Sequence, residues 1–195
     1  MITAEPIFHA DWFSDNIPHL EKYLGHLKNV SGVRGLEIGC WEGKSSVWFL
    51  QTILTGEGAR LDCVDNFKGN PENSLVGYER DVQAIFRHNV QVLGLKEQVN
   101  LWVGNSSDIL RTWCYGSKFD FVYVDGSHDS RNVLIDLCLA WLLLKSGGIM
   151  VMDDYGMDNT LTGLSAKPAI DAFYHVFKKD VIELHHDYQV VWRKI

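Results

Sequence analysis

Five carboxylates in this 195-residue sequence occupy comparable places: Glu37, Asp65, Asp125 and the pair Asp153-Asp154 each stand at or near the end of a short apolar run. If those runs are parallel strands, the acids gather along one carboxyl edge, where open α/β sheets hold their ligands. Glu37 also lies two residues before a glycine turn, in Gly35-Leu36-Glu37-Ile38-Gly39-Cys40-Trp41-Glu42-Gly43-Lys44-Ser45-Ser46. Several readings compete for that turn. A dinucleotide needs G-x-G-x-x-G, so that pyrophosphate can approach the middle glycine, and position 41 is Trp. A P-loop needs four residues between its first glycine and Gly-Lys-Ser, and only Cys40, Trp41 and Glu42 intervene. S-adenosylmethionine has no phosphate and carries a sulfonium and an ammonium group, which Glu37 and Glu42 do not repel. A turn that binds nothing is the remaining reading.

The elements that must position these residues follow from the apolar periodicity. Ser14 is placed to cap a helix over about Asp15 to Leu27, with Ile17, Leu20, Tyr23, Leu24 and Leu27 on one face. This segment is expected to be a lid or buttress spanning residues 1–30. After the glycine turn, Lys44 to about Leu54 predicts a helix carrying Val47, Trp48, Leu50 and Ile53, stopped by the glycines at 56 and 58. Arg60 to Asp65 reads as a strand, and Gly69-Asn70-Pro71-Glu72-Asn73-Ser74 as a loop able to close over a ligand. A helix from about Tyr78 to Leu93 ends at Gly94, and Asn100 to Gly104 forms a third strand. Asn105-Ser106-Ser107-Asp108 offers caps for a short helix through about Trp113. Phe119 to Val124 is a continuous apolar run ending on Asp125, followed by a helix over about Ser130 to Leu144. Gly147-Gly148 opens the strand Ile149 to Met152, which ends in Asp153-Asp154, and the stretch from Gly156 to Lys167 reads as a second loop at that edge. Pro168 suits the first turn of a helix over about Ala169 to Lys179, and two strands, Val181 to His185 and Gln189 to Arg193, close the chain as an antiparallel hairpin.

Strands alternate with helices until that hairpin, so the expected class is α/β, a mostly parallel sheet covered on both faces. The length and the 46% hydrophobic content support one well-buried core, hence a single domain over 1–195. A formal charge of −7 with no basic run argues against a nucleic-acid partner. Cys40, Cys63, Cys114 and Cys138 form no C-x-x-C pair, and Cys63 and Cys138 lie in apolar runs expected to be buried, as free thiols. No stretch approaches the roughly 18 apolar residues of a membrane span, and residues 1–6 lack the basic and apolar regions of a signal peptide, so a soluble cytoplasmic protein is expected.

The residues resemble those of the class I S-adenosylmethionine-dependent methyltransferases, specifically small metal-dependent O-methyltransferases of the macrocin and catechol type with a methyltransferase-24-like domain. Leu36 to Ser45 is similar to the first motif of that family, and Val124-Asp125-Gly126-Ser127-His128 and Val151-Met152-Asp153-Asp154-Tyr155 are similar to its metal-bearing strand ends. The resemblance covers nearly the whole chain. It implies a Rossmann-like, doubly wound, seven-stranded sheet with an antiparallel final strand.

Carried over residue by residue, the resemblance implies that Glu37 and Gly39 contact the methionine part of S-adenosylmethionine, with Trp41 and Ser45 nearby. Asp65 takes the ribose, a role that a carboxylate at the end of a second strand also plays in dinucleotide folds. Ser106 and Ser107 sit by the adenine, although helix capping explains them almost as well. Asp125, Asp153 and Asp154 supply the hard oxygen ligands that suit Mg²⁺. Adjacent strand residues face opposite ways, so Asp153 and Asp154 can share an ion only if the strand breaks at Asp153. His128, three residues after Asp125, is the general-base candidate, with Asp125 beside it at the catalytic position. The implied substrate is a small-molecule hydroxyl, and a homo-oligomer is left open. His9, His19, His26, His88, His175, His185 and His186 are expected to be structural, as are Trp48, Trp141 and Phe173.

Overall fold

A computed structural model describes residues 5–70, 80–113, 116, 118–157 and 162–195. Seven strands form one sheet: β1 (Arg34–Ile38), β2 (Arg60–Asp65), β3 (Val99–Val103), β4 (Phe119–Val124), β5 (Leu144–Met152), β6 (Val181–His186) and β7 (Val190–Lys194). Their order is β3-β2-β1-β4-β5-β7-β6. The first five are mutually parallel, and β7 inserts antiparallel between β5 and β6. The order reverses between β1 and β4, which makes their carboxyl ends the switch point where a crevice must open. Six α-helices are described: α1 (Ile17–Leu24), α2 (Lys44–Trp48), α3 (Val82–Val92), α4 (Ser106–Thr112), α5 (Ser130–Leu143) and α6 (Lys167–Phe177).

The period of two along each strand splits the interior into two cores. Leu36, Ile38, Val122, Val124, Met150 and Met152 face Leu110, Val133, Leu137, Ile170 and Phe173 of α4, α5 and α6. Leu61, Cys63, Phe121, Tyr123, Ile149 and Val151 face Leu20, Leu24, Val47, Phe49 and Phe86 on the side of α1, α2 and α3. Burial on both faces is why these strands read as continuous apolar runs rather than alternating ones.

Several elements depart in detail from the periodicity. The first helical stretch is a 3₁₀ turn (Ser14–Asn16), then α1, then a second 3₁₀ turn (Gly25–Leu27). Ser14 caps nothing; the Asp11 carboxylate takes that place, accepting from the Phe13 and Ser14 amides and the Ser14 hydroxyl. The helix beginning at Lys44 passes into a π turn (Phe49–Ile53) before stopping. Helix α3 begins at Val82, where Asp81 caps the Ala84 amide; the expected start at Tyr78 and most of the 69–74 loop lie outside the described residues, as do Cys114 and Asn159 of the second loop. Strand β5 starts five residues earlier than the glycine pair implied, with a register shift between Phe119 and Phe121. Cys40 and Cys63 are buried and free, but Cys138 is exposed, because α5 turns that position away from the sheet. No helix among the described residues is long and apolar enough to cross a membrane.

Candidate functional site

A cavity of about 1340 Å³ opens along the carboxyl edge. Gly39, Trp41, Ser45, Asp65, Ser106, Ser107, Asp125, His128, Asp153 and Asp154 all line it, so the topology brings together residues from five strand ends. Glu37 does not join them. Leu36 and Ile38 point into one core, so Glu37 points into the other, beneath the start of α2. There it is fully buried and accepts hydrogen bonds from the Ser45 and Ser46 hydroxyls, with the Cys63 thiol 3.4 Å away. Burial pushes its carboxyl up to about 7, against the opposing pull of those hydroxyls. Glu37, expected to contact the cofactor, thus lies beneath the cradle and does not line the cavity.

The turn above is closely built. Gly39 has φ +85°, and a Cβ there would come within 2.0 Å of the Asp125 carbonyl oxygen. Gly43, at the same φ, would drive a Cβ to 2.9 Å from the Phe86 ring. Both positions therefore exclude a side chain, one to let β1 and β4 converge and one to seat α2 on α3. Asp65 closes the turn from the side: one oxygen accepts from the Cys40 and Trp41 amides at 2.8 and 2.9 Å, the other from Phe67 at 2.7 Å. Those loop amides are what a P-loop would offer to phosphate. A carboxylate already fills the nest, and Lys44 pairs with Asp11 at 2.5 Å, so the phosphate reading fails on geometry as well as on spacing.

The N-terminal segment straps down one rim of the cavity. The Ile7 amide donates to Asn89, whose own amide returns a bond to the Ile7 carbonyl, and His9 binds Glu42 through both its backbone amide and its ring at 2.7 and 2.8 Å. His9, expected to be structural, thus has an acidic partner in Glu42. Phe13 plugs the inner end against Trp48, Phe49 and Tyr123.

At the other end of the cavity the acids crowd together. Strand β5 ends at Met152, and Asp154 adopts φ +61°, so the break needed to turn both acids toward one space is present. Asp153 accepts from the Tyr123 hydroxyl, the Asn16 amide at 3.1 Å and the Asp154 backbone amide at 2.9 Å. Asp154 accepts from the Tyr188 hydroxyl at 2.9 Å and faces His128 Nε2 at 3.0 Å. The Asn70 amide also approaches that Nε2, at 3.3 Å, and donates to the Gly126 carbonyl. Burial, then repulsion from Asp153 and Asp154, holds the Asp125 carboxyl well above the usual carboxylate range. Burial and the charge on Asp154 push Asp153 up to about 6. Like charges so placed attract a cation, and an all-oxygen donor set suits Mg²⁺. Among the described residues no three His, Cys, Asp or Glu side chains converge as a ready-made cage. Mg²⁺ commonly binds through one or two carboxylates with water completing its shell, a mode that does not require a three-acid cage.

Periodicity did not reveal Asn16, Tyr188 and Gln189, which line the acid end from the first 3₁₀ turn and the β6–β7 hairpin, and His19 of α1, expected to be structural, lines the same cavity. Nothing local marks Tyr188 and Gln189, because they reach the site only through the antiparallel return of β7 beside β5. His19 and His185 also stack there, with ring centroids 4.4 Å apart. Asp136 left a readable signal, being a carboxylate inside an otherwise apolar stretch of α5.

This strand order, with its antiparallel final pair and a glycine turn at the switch point, is the architecture of class I S-adenosylmethionine-dependent methyltransferases. The chain belongs to the family described as "Methyltransferase domain", whose profile matches residues 36–155. No curated protein matches the sequence. Solved structures share the fold at low identity. An O-methyltransferase from Bacillus cereus in complex with SAH is 21% identical, with a TM-score of 0.64 over 91% of this chain and 81% of that one. TomG, an O-methyltransferase from Streptomyces achromogenes involved in tomaymycin synthesis and solved with SAM, is 18% identical, with a TM-score of 0.65 over 91% and 79%. MycE, from the mycinamycin biosynthetic pathway and solved with Mg, SAH and mycinamycin VI, is 19% identical, with a TM-score of 0.65 over 95% of this chain and 50% of MycE.

Proposed function

We propose that this protein is an O-methyltransferase that binds S-adenosylmethionine against the glycine turn and methylates a hydroxyl of a small molecule held at the acid end. The observation that carries the reading is that His128, Asp125 and Asp154 line the same cavity as the glycine turn. Gly39, Trp41 and Ser45 would border the methionine part. Asp65 would accept from the ribose with the lone-pair capacity that its three backbone amides leave, since a carboxylate offers about four acceptor positions. The neighbours in complex with SAH or SAM support that cofactor, and MycE supports the choice of a metal.

The reaction is an in-line displacement. The acceptor oxygen forms a bond to the methyl carbon as the carbon–sulfur bond breaks, and the sulfur keeps the electron pair as a neutral thioether. The hydroxyl proton passes to His128 Nε2. That nitrogen faces Asp154 and Asn70, so it accepts a proton only in the tautomer that leaves its lone pair free and with the Asp154 oxygen turned to another partner. Asp125, Asp153 and Asp154 would hold Mg²⁺ through one or two carboxylates, and the ion would supply Lewis acidity that makes the acceptor hydroxyl more acidic. Tyr123, Asn16 and Tyr188 would fix the orientation of Asp153 and Asp154. Most of the rate enhancement then comes from positioning and charge placement.

The test is incubation of the protein with S-adenosylmethionine, Mg²⁺ and metabolite extracts, followed by mass spectrometry for the gain of one methyl. The expected product is a methyl ether, and activity is lost with excess chelator. Full activity in chelator would remove the metal from the reading. Tight cofactor binding with no acceptor methylated in any extract would instead make the protein a cofactor-binding module.

A further inference from the structure

Away from the crevice, a second cavity of about 210 Å³ is lined by Arg34, Asp62, Trp102, Trp113, Lys118 and Phe119. None of these residues lines the functional cavity. Arg34 and Phe119 begin β1 and β4, so the place lies toward the amino ends of those strands, opposite the edge where the acids gather. Three aromatic rings form its apolar part. Trp113 meets Trp102 edge-on with ring centroids 5.0 Å apart and lies 6.1 Å from Phe119. Trp102 is nevertheless 42% exposed, so that packing leaves much of the indole open to a further ring.

The polar part is organised by one buried acid. Asp62 accepts from Arg34 Nη2 at 2.6 Å, Trp102 Nε1 at 3.0 Å and Asn100 Nδ2 at 3.3 Å, which fixes the guanidinium and the indole before any ligand arrives. Those donors answer the Asp62 charge, and a guanidinium with five N–H groups keeps others for a ligand. The Arg34 guanidinium also lies 5.2 Å over the Phe119 ring. Lys118, directly before β4, has no hydrogen-bond or ion-pair partner for its ammonium among the described residues. With Arg34 paired to Asp62, Lys118 leaves the cavity with an excess positive charge.

A cationic aromatic is repelled here, and an aliphatic anion makes no use of the indole faces. The volume exceeds the roughly 150 Å³ of an apolar cavity that accepts benzene and falls short of the about 300 Å³ at which drug-sized pockets begin, so one ring with one small substituent fits. We propose that this cavity is a second ligand site, for a small aromatic carboxylate, with the ring among Trp102, Trp113 and Phe119 and the carboxylate between Arg34 and Lys118. A planar guanidinium matches a carboxylate in geometry, and the lysine adds a point charge. No residue of the crevice takes part, so the site is independent of the methyltransferase reading.

Benzoate is the probe, titrated into the whole protein by calorimetry and followed in parallel by tryptophan fluorescence. Saturable binding of one equivalent is expected, with a Kd of about 1 mM or tighter. Benzyl alcohol has the same ring and no charge, and is expected to bind at least roughly 10-fold more weakly, as for the loss of hydrogen bonds to charged groups. Lys118→Met keeps most of the apolar stem and removes the charge. It is expected to weaken benzoate by roughly 3- to 10-fold while leaving benzyl alcohol within about twofold. Trp113→Leu removes one aromatic wall and is expected to weaken both compounds. Absence of saturable benzoate binding up to about 10 mM would overturn the proposal. So would equal binding of the two compounds, which describes an apolar slot without carboxylate recognition. Benzoate binding unchanged in Lys118→Met would place the probe elsewhere on the chain and overturn it as well. Should Trp113→Leu fail to fold, the two probes on wild type and Lys118→Met decide the question.

Discussion

The two ends of the cavity are built on opposite principles. At the glycine turn the polar groups described are satisfied by the protein: Glu37 by Ser45 and Ser46, the loop amides by Asp65, Glu42 by His9. At the acid end Asp125, Asp153 and Asp154 repel one another, and His128 is the cationic-capable side chain paired among them. A scaffold that must present a fixed shape to a cofactor gains from internal hydrogen bonds, because they define the loop before the ligand arrives. A site that must move a proton and attract positive charge gains from leaving acids incompletely compensated, because that is what perturbs their protonation. Under the proposed function, the difference separates binding machinery from reaction machinery within one crevice.

The comparison breaks most visibly if the acid end proves dispensable for chemistry. His128→Gln is expected to lower kcat by roughly 10²- to 10⁴-fold while leaving the affinity for S-adenosylmethionine within about twofold, measured by methyl transfer and by calorimetry. A parallel loss of cofactor affinity would show that the two ends are not separable. The glycine turn is tested by Gly39→Ala. A Cβ 2.0 Å from the Asp125 carbonyl, at φ +85°, combines overpacking with a left-handed backbone. The expected destabilisation is about 3 kcal/mol in denaturant unfolding, with cofactor binding abolished. Retention of near-native stability would mean that the turn is looser than its contacts imply.

The third test uses pH to examine the support beneath the turn. The Glu37 carboxyl titrates at about 7 in the folded chain against an ordinary value of 4.5, so the native state holds its proton more tightly than the unfolded one. Unfolding free energy therefore falls as pH rises from 4.5 toward 7, and Glu37 withdraws up to roughly 3 kcal/mol across that window. Glu37→Gln removes the titrating group, so the gap in stability between variant and wild type is expected to widen in the variant's favour over the same window. Melting temperatures from pH 4 to 8 check this. A constant gap would show that Glu37 is already ionised throughout, with Ser45 and Ser46 compensating its charge.

Much of this architecture was legible in the residues themselves. Apolar runs such as Phe121 to Val124 declare a strand buried on both faces, because a half-exposed strand would alternate. The glycines at 39 and 43, and Gly94 at the end of α3, mark backbone that a side chain would obstruct or strain. What local pattern misassigned was direction and partnership. Glu37 belongs to the same motif as the turn, yet strand alternation sends its side chain under α2, away from the crevice. Ser14 had the type of a helix cap but lost the place to Asp11, which spacing does not distinguish.

The sequence by itself determined the fold class, the strand ends and the types of group gathered there, since periodicity and turn residues are properties of short stretches. Only the tertiary structure decided which of those groups share a cavity and in what state. The Asp153–Tyr123 bond, the meeting of His128 with Asp154 and the reach of Tyr188 join residues far apart in the chain. Their distances depend on strand order, and their protonation depends on burial and on neighbouring charge, none of which a local pattern carries.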